Sequence, residues 1–284
     1  MHFKKLLAST AVAAALGLSS AANASLLIGG DAANQASATS ILQIVFAIDT
    51  SGSMTDDIAS IGAKAQSVIQ NLSCPTTDCW VQARFFGING TSGSVFNQNL
   101  RTYIDSRNGA LVPTIDNTED NGPAVVDLVN WYEWDASLAT GTQNYFRAIV
   151  TIGDEGTQNG DPVNTADYEA AVLANAAAKA ANIMLFSWVA DDPTSAPFGP
   201  LMQAMAVGGT QTYLGTTYNY VDTGGAYISG PLTDVTVEQQ LEDIICFAAS
   251  GGGNQNTVPE PGSLALIGLG ALGLAFSRRR KQSH

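Results

Sequence analysis

Three apolar runs that barely alternate constrain this chain more than any other feature: ILQIVFAI at 41–48, YFRAIVTI at 145–152 and NIMLFSWV at 182–189. A strand with one wet face alternates apolar and polar residues, whereas a strand apolar on both faces has to be covered on both. That is the situation of an inner strand in a parallel sheet with a helix layer on each side. Helical patterns separate the runs, as such an architecture requires. Residues 55–72 place Ile58, Ile61, Ala65, Val68, Ile69 and Leu72 on one stripe, and Pro123 stands in the first turn of a helix carrying Val125, Leu128 and Val129. An Ala-rich helix is expected over 166–181 and another over 199–207. The last helix is expected to open on the capping-box pattern Thr236-Val-Glu-Gln239 and to bury Leu241, Ile244 and Ile245. Residues 80–88 read as a further strand, 94–104 as its antiparallel neighbour, and 212–214 with 218–221 as weaker strands. The expected fold class is therefore α/β, a doubly wound, mostly parallel central sheet with helices on both faces. It occupies a single domain over 40–250, between a polar leader at 25–39 and a Gly/Asn linker at 251–257.

Histidine narrows the chemistry. The only two are His2 and His284, at the extreme ends of the 284 residues. A Ser-His-Asp or Cys-His nucleophile, a zinc site with histidine ligands and a histidine acid/base are excluded for the domain. Carboxylates, hydroxyls and amides remain. There is no G-x-x-x-x-G-K-[ST] phosphate loop. Lys64, Arg84, Arg101, Arg107, Arg147 and Lys179 form no basic stretch, so nucleic acid is not an expected partner. Cys74 and Cys79 flank a short polar loop, and the preferred pairing joins them to each other with Cys246 as a buried free thiol. A bridge from Cys74 or Cys79 to Cys246 stays open.

Both ends carry targeting chemistry. Residues 1–24 combine Lys4 and Lys5, an apolar stretch and the small-residue site Ala22-Asn23-Ala24, the parts of a secretory signal peptide with cleavage after Ala24. The other end strings together Val258-Pro259-Glu260-Pro261, an apolar segment over 263–277 and the basic run Arg278-Arg279-Arg280-Lys281. About 15 residues at 1.5 Å each reach about 22 Å, a marginal transmembrane helix against a hydrocarbon core of roughly 30 Å. Its cationic end should stay cytoplasmic. The tail resembles the PEP-CTERM sorting signal of Gram-negative envelope proteins. The resemblance implies cleavage by an exosortase, transient inner-membrane contact through the C-terminal helix, and delivery to the cell surface or extracellular matrix. With both processed ends set aside, Lys4, Lys5 and the four tail cations leave the 12 basic residues, and Glu260 leaves the 25 acidic ones. Six cations then face 24 acids, a net charge of −18 where the whole chain has −13.

The first apolar strand ends in Asp49-Thr50-Ser51-Gly52-Ser53. Ligands of doubly wound sheets bind beyond the carboxyl ends of the strands. Alternate residues of an extended turn face one point, so Asp49, Ser51 and Ser53 are expected to converge there. Such hard oxygen donors suit Mg2+, Mn2+ or Ca2+. D-x-S-x-S in this place resembles the metal-ion-dependent adhesion site of von Willebrand factor type A domains, over about residues 40–250 of this chain. The resemblance implies a Rossmann-like sheet and an octahedral divalent ion, usually Mg2+, with Ser51, Ser53 and Thr118 as hydroxyl ligands. Asp49 and Asp154 would hold the ion directly or through water, and an open position would take a carboxylate from a protein or matrix ligand. Thr114, Thr140 and Thr142 lie near Thr118 in sequence, and Glu119 or Asp120 would alter the charge around the ion.

The expected function is thus an exported, cell-surface or matrix module that binds a protein or acidic ligand through a divalent cation, and not an enzyme. A structural matrix protein whose ion only stabilises the fold, and an oxygen-ligated metallohydrolase, are the other readings. Asp154-Glu155 reads as chance adjacency and Asp191-Asp192 as a solvated strand end. Trp131, Tyr132 and Trp134 read as helix-end packing in preference to a sugar platform.

Overall fold

The computed structural model describes residues 26–90, 98–108, 114–190, 198–230, 232 and 234–253. Its elements are β1 (Leu26–Gly30), β2 (Ser40–Ile48), α1 (Thr55–Gln70), β3 (Cys79–Gly87), α2 (Leu100–Asn108), α3 (Asn121–Trp131) and β4 (Asn144–Gly153). There follow α4 (Thr165–Ala180), β5 (Met184–Val189), α5 (Phe198–Val207), β6 (Gly209–Tyr213), β7 (Thr216–Tyr220), β8 (Tyr227–Ser229) and α6 (Asp234–Ala249). The central sheet runs β1-β3-β2-β4-β5-β8, parallel throughout except for β1 at the edge. It is a mixed α/β, Rossmann-like arrangement with helices on both faces.

Burial follows the apolar runs. Every residue of β2 and of β5 is buried. Leu42, Ile44, Phe46 and Ile48 of β2 face α1 and α6, whereas Val45 and Ala47 face the layer built from α2 to α5. On the first face Phe46 and Phe85 stack with centroids 4.3 Å apart. On the second, Tyr132 is buried while Trp131 and Trp134 pack half-exposed at its border.

Several expectations need correction. Residues 100–104 are not strand: Leu100 and Ile104, one helical turn apart, are both buried by α2, and Asn99 Oδ1 accepts Thr102 N–H at 3.0 Å at its start. Residues 94–97 of that expected strand lie outside the described residues. The 25–39 leader contains β1, which pairs with β3 from Leu26↔Arg84 to Gly30↔Trp80. Gly29 is required there, since a Cβ would stand 2.0 Å from the Ile69 carbonyl oxygen of α1. The last helix begins at Asp234, so the Thr236 pattern sits inside it. The segments around 212–214 and 218–221 form the β6–β7 hairpin, separate from the main sheet. β8, an edge strand of three residues, had no sequence signal.

The preferred cysteine pairing is also overturned. Cys74 bridges Cys246, 172 residues on, and Cys79 is the buried free thiol, its Sγ 3.6 Å from Cys74 Sγ. The α1–α6 packing brings Cys246 to the end of α1, while Asp31 accepts the backbone N–H groups of Cys74 and Cys79 at 2.9 and 2.6 Å and fixes the loop between them. Asp31, Cys74 and Cys79 offer metal-ligand atoms within 4.8 Å of one another, but the carboxylate and one sulfur are committed to these structural bonds. Among the described residues no helix is long and apolar enough to cross a membrane. The signal segment 1–24, the apolar stretch 263–277 and Asp191-Asp192 lie outside the described residues.

Candidate metal centre

β2 feeds α1 on one face of the sheet, and its neighbour β4 feeds α4 on the other. The chain therefore parts above the carboxyl ends of these two strands, leaving the crevice in which open α/β sheets place ligands. Asp49 follows β2 directly and Asp154 follows β4 directly.

Asp49 is fully buried, yet only part of its carboxylate is satisfied. Oδ1 accepts the Ser51 N–H at 2.7 Å, while Oδ2 is buried with no hydrogen-bond partner among the described residues. The Ser51 and Ser53 hydroxyls lie 2.9 Å apart, with Ser51 half-buried and Ser53 exposed. Asp49, Ser51 and Ser53 are linked in a hydrogen-bonded turn leading into α1. Burial pushes the Asp49 carboxyl up to about 7; the Ser51 hydrogen bonds pull against it, and the charges of Asp154 and Glu119 add to it.

The loop before α3 docks on this turn through the backbone, Thr50 N–H donating to the Thr118 carbonyl at 3.4 Å. Thr118 is therefore carried to the end of β2. Its hydroxyl bonds locally, donating to Asn117 Oδ1 at 3.1 Å. Asp120, wholly buried, braces the loop: its Oδ2 accepts Asp116 and Asn117 N–H at 2.7 and 2.8 Å, and its Oδ1 reaches across to Asn159 N–H at 2.9 Å. Asp167 does the same for the loop after β4, accepting Gln158 and Asn164 N–H, each at 2.8 Å. Both carboxyls are raised by burial.

Three further residues belong to this end of the sheet. Glu119 is pushed up to about 7 by desolvation and then by Glu155 and Asp154. Both glutamates crowd Gly160, whose lack of a Cβ leaves room for them. Asn121, the first residue of α3, is buried, and its Oδ1 has no donor among the described residues. A Cβ on Gly153 would sit 2.8 Å from Asn121 Nδ2 and 3.4 Å from Asp49 Oδ2, so the missing side chain shapes the wall between them. Asn121 and Glu155 were not among the expected site residues. Asp154 and Glu155 both raise Glu119, and Asp154 and Glu119 raise Asp49. These acids come from three segments that only the fold joins.

The donor set fits a hard divalent cation: carboxylates and hydroxyls, two buried oxygen acceptors without donors among the described residues, and acids raised by burial and by one another's charge. Neither of the two described ion pairs, Lys64–Glu238 and Arg107–Glu133, involves Asp49 or Glu119.

Comparison with known families matches residues 257–281 to the PEP-CTERM protein-sorting motif, and no match to the von Willebrand type A family accompanies it. No curated protein matches the chain. The motif marks an exported, envelope-associated protein of a Gram-negative bacterium that is processed by an exosortase.

Proposed function

We propose that residues 40–250 form a von Willebrand type A domain that binds a protein or matrix ligand through a divalent cation, Mg2+ in the first instance. One observation carries the reading. At the switch point of the sheet, a buried aspartate with an unsatisfied oxygen accepts the Ser51 N–H, beside the mutually bonded Ser51 and Ser53 hydroxyls and within the field of a second aspartate beyond the next strand. Ser51, Ser53 and Thr118 would hold the ion through hydroxyl oxygens, and Asp49 and Asp154 directly or through water. The ion supplies an electrophilic position for a partner's carboxylate. Asp120 and Asp167 keep the two flanking loops in place, and the Glu119–Glu155 pair adds negative charge that favours retention of a cation over an anion. In this reading the chain has no catalytic step, and its mature domain is displayed outside the cell.

Mg2+ or Mn2+ should raise the melting temperature by mass action, about 2.7 kcal/mol at a hundredfold excess over Kd, and Asp49→Ala should abolish the shift. Identical melting curves with and without either ion, in parent and variant, would sink the proposal. Capture of envelope components on the immobilised domain should be released by EDTA. A metal-dependent melting shift with EDTA-insensitive capture favours the structural-ion reading instead.

A further inference from the structure

A second concave region lies part-way back along the strands from Asp49, with Arg84 level with Val45 of β2, on the face of β3 beside α2 and the end of α3. Its centre is Arg84. The guanidinium carbon lies 5.6 Å from the Tyr103 ring centroid, 5.9 Å from Tyr132 and 6.0 Å from Phe86, which holds the cation by its π contacts. Neither described ion pair uses Arg84, and its buried Nε has no hydrogen-bond partner among the described residues. In a domain with 24 acids to 6 cations, an arginine without a carboxylate is an unusual allocation.

Its surroundings are chemically mixed. Gln82 accepts Gln43 Nε2 at 2.5 Å through its own Oε1, which leaves the Gln82 amide nitrogen to donate. Glu133, exposed on the rim, pairs with Arg107 and offers further acceptor capacity. Trp134 packs edge-on to Tyr132, with centroids 4.7 Å apart. The cleft has a volume of about 390 Å³, and a second of about 360 Å³, lined by Tyr145 and Arg147, shares Trp134 as a wall. Both lie in the size range of small-ligand sites. The Trp134 ring therefore stands between two adjoining compartments, each with one arginine.

We infer that this pair of clefts is a binding site for a neutral saccharide chain, running across Trp134 with Arg84 and Gln82 donating to hydroxyl oxygens and Glu133 accepting from a hydroxyl. A sugar hydroxyl both donates and accepts, which suits a wall carrying both kinds of partner. The apolar ring faces of a sugar suit flat aromatic side chains. An acidic polysaccharide or acidic peptide would meet the Glu133 carboxylate and the −18 field of the domain. An apolar segment would leave the Arg84 guanidinium desolvated without a partner.

The test is tryptophan fluorescence and calorimetric titration of the intact domain in EDTA, so that the Asp49 end takes no part. The probes are neutral hexasaccharides (β-1,4- and β-1,3-glucose, mannose and xylose series), hexagalacturonate and an octaglutamate peptide. At least one neutral hexasaccharide should bind saturably, with the affinity reduced about tenfold or more in Arg84→Gln and in Trp134→Ala. Should either variant lose its fold by circular dichroism, the exposed Glu133→Ala decides, with a several-fold loss expected. The inference is overturned by no neutral binding up to about 10 mM, by unchanged affinity in the folded variants, or by a preference for hexagalacturonate or octaglutamate.

Discussion

A buried carboxylate beside two other acids needs a proton or a cation near neutral pH, and Asp49 has only the Ser51 hydrogen bond at Oδ1 and neither of the described ion pairs to replace them. Its folded-state value of about 7, raised by burial and then by Asp154 and Glu119, lies above the ordinary aspartate range near 4. The folded chain then binds more protons than the unfolded chain between those values, so stability falls as pH rises from about 4 to about 7. Glu119, raised in the same direction by desolvation and Glu155, adds to the fall. In chelator, urea titrations across this window should show stability dropping with pH, and Asp49→Asn should remove about 1–4 kcal/mol of the drop. A parallel pH profile for parent and variant would contradict the electrostatic account. Added Mg2+ should oppose the loss most strongly at the upper end of the window, where the carboxylates are ionised and free to ligate.

Elements show how far sequence reading extends. β2, β4 and β5 were legible because their apolar runs leave no wet face, α1 because its stripe recurs at helical spacing, and α4 because it is rich in alanine. α2 was misread because its apolar positions are sparse, Leu100 and Ile104 only, among polar residues that fit an alternating strand equally well. β1 was passed over because LLIGG is short and ends in glycines, which only the close approach to Ile69 and to the Cys79 carbonyl explains. At the candidate centre the same limit holds. Asp49, Ser51 and Ser53 share five residues and one turn, so they could be read as a unit, whereas Asn121 opens α3 and Glu155 lies in the loop after β4, and both acquire a role only where α3 and β4 meet the end of β2. Gly153 closes that junction, and its effect is steric, since its backbone angle is not in the left-handed region. Gly153→Ala should press on Asn121 and Asp49, cost about 1–3 kcal/mol, and weaken the Mg2+-induced melting shift. A variant that melts lower yet keeps the full shift would separate the packing role of Gly153 from the cation cradle.

At the scale of the whole molecule, the sorting motif at 257–281 follows α6 after only a few residues, so the last helix is the domain's attachment to whatever holds the tail. Exosortase processing predicts a mature surface form without Arg278-Arg279-Arg280, and mass spectrometry finding that cluster on surface-exposed protein would contradict it. Load on the tail before cleavage falls first on the end of α6. Cys246, four residues before Ser250 and on the buried side of that helix, is bridged to Cys74 at the far end of α1. The bridge closes a segment of 172 residues spanning most of the sheet, and long closures restrict the unfolded chain most, with effects of about 2–5 kcal/mol. Cys79 does not compete for the bond in the folded state, because burial pushes its thiol up to about 12 and keeps it protonated. Removal of Cys246 alone would leave Cys74 beside Cys79 at 3.6 Å, free to close the short loop in an oxidising compartment. The informative variant is therefore Cys74→Ser with Cys246→Ser together. It should lose about 2–5 kcal/mol in denaturant titrations, and limited proteolysis should cut within α6 before it cuts α1 or α4. Uniform proteolysis across the domain, or unchanged stability, would show that α6 is held by its Leu241, Ile244 and Ile245 packing alone.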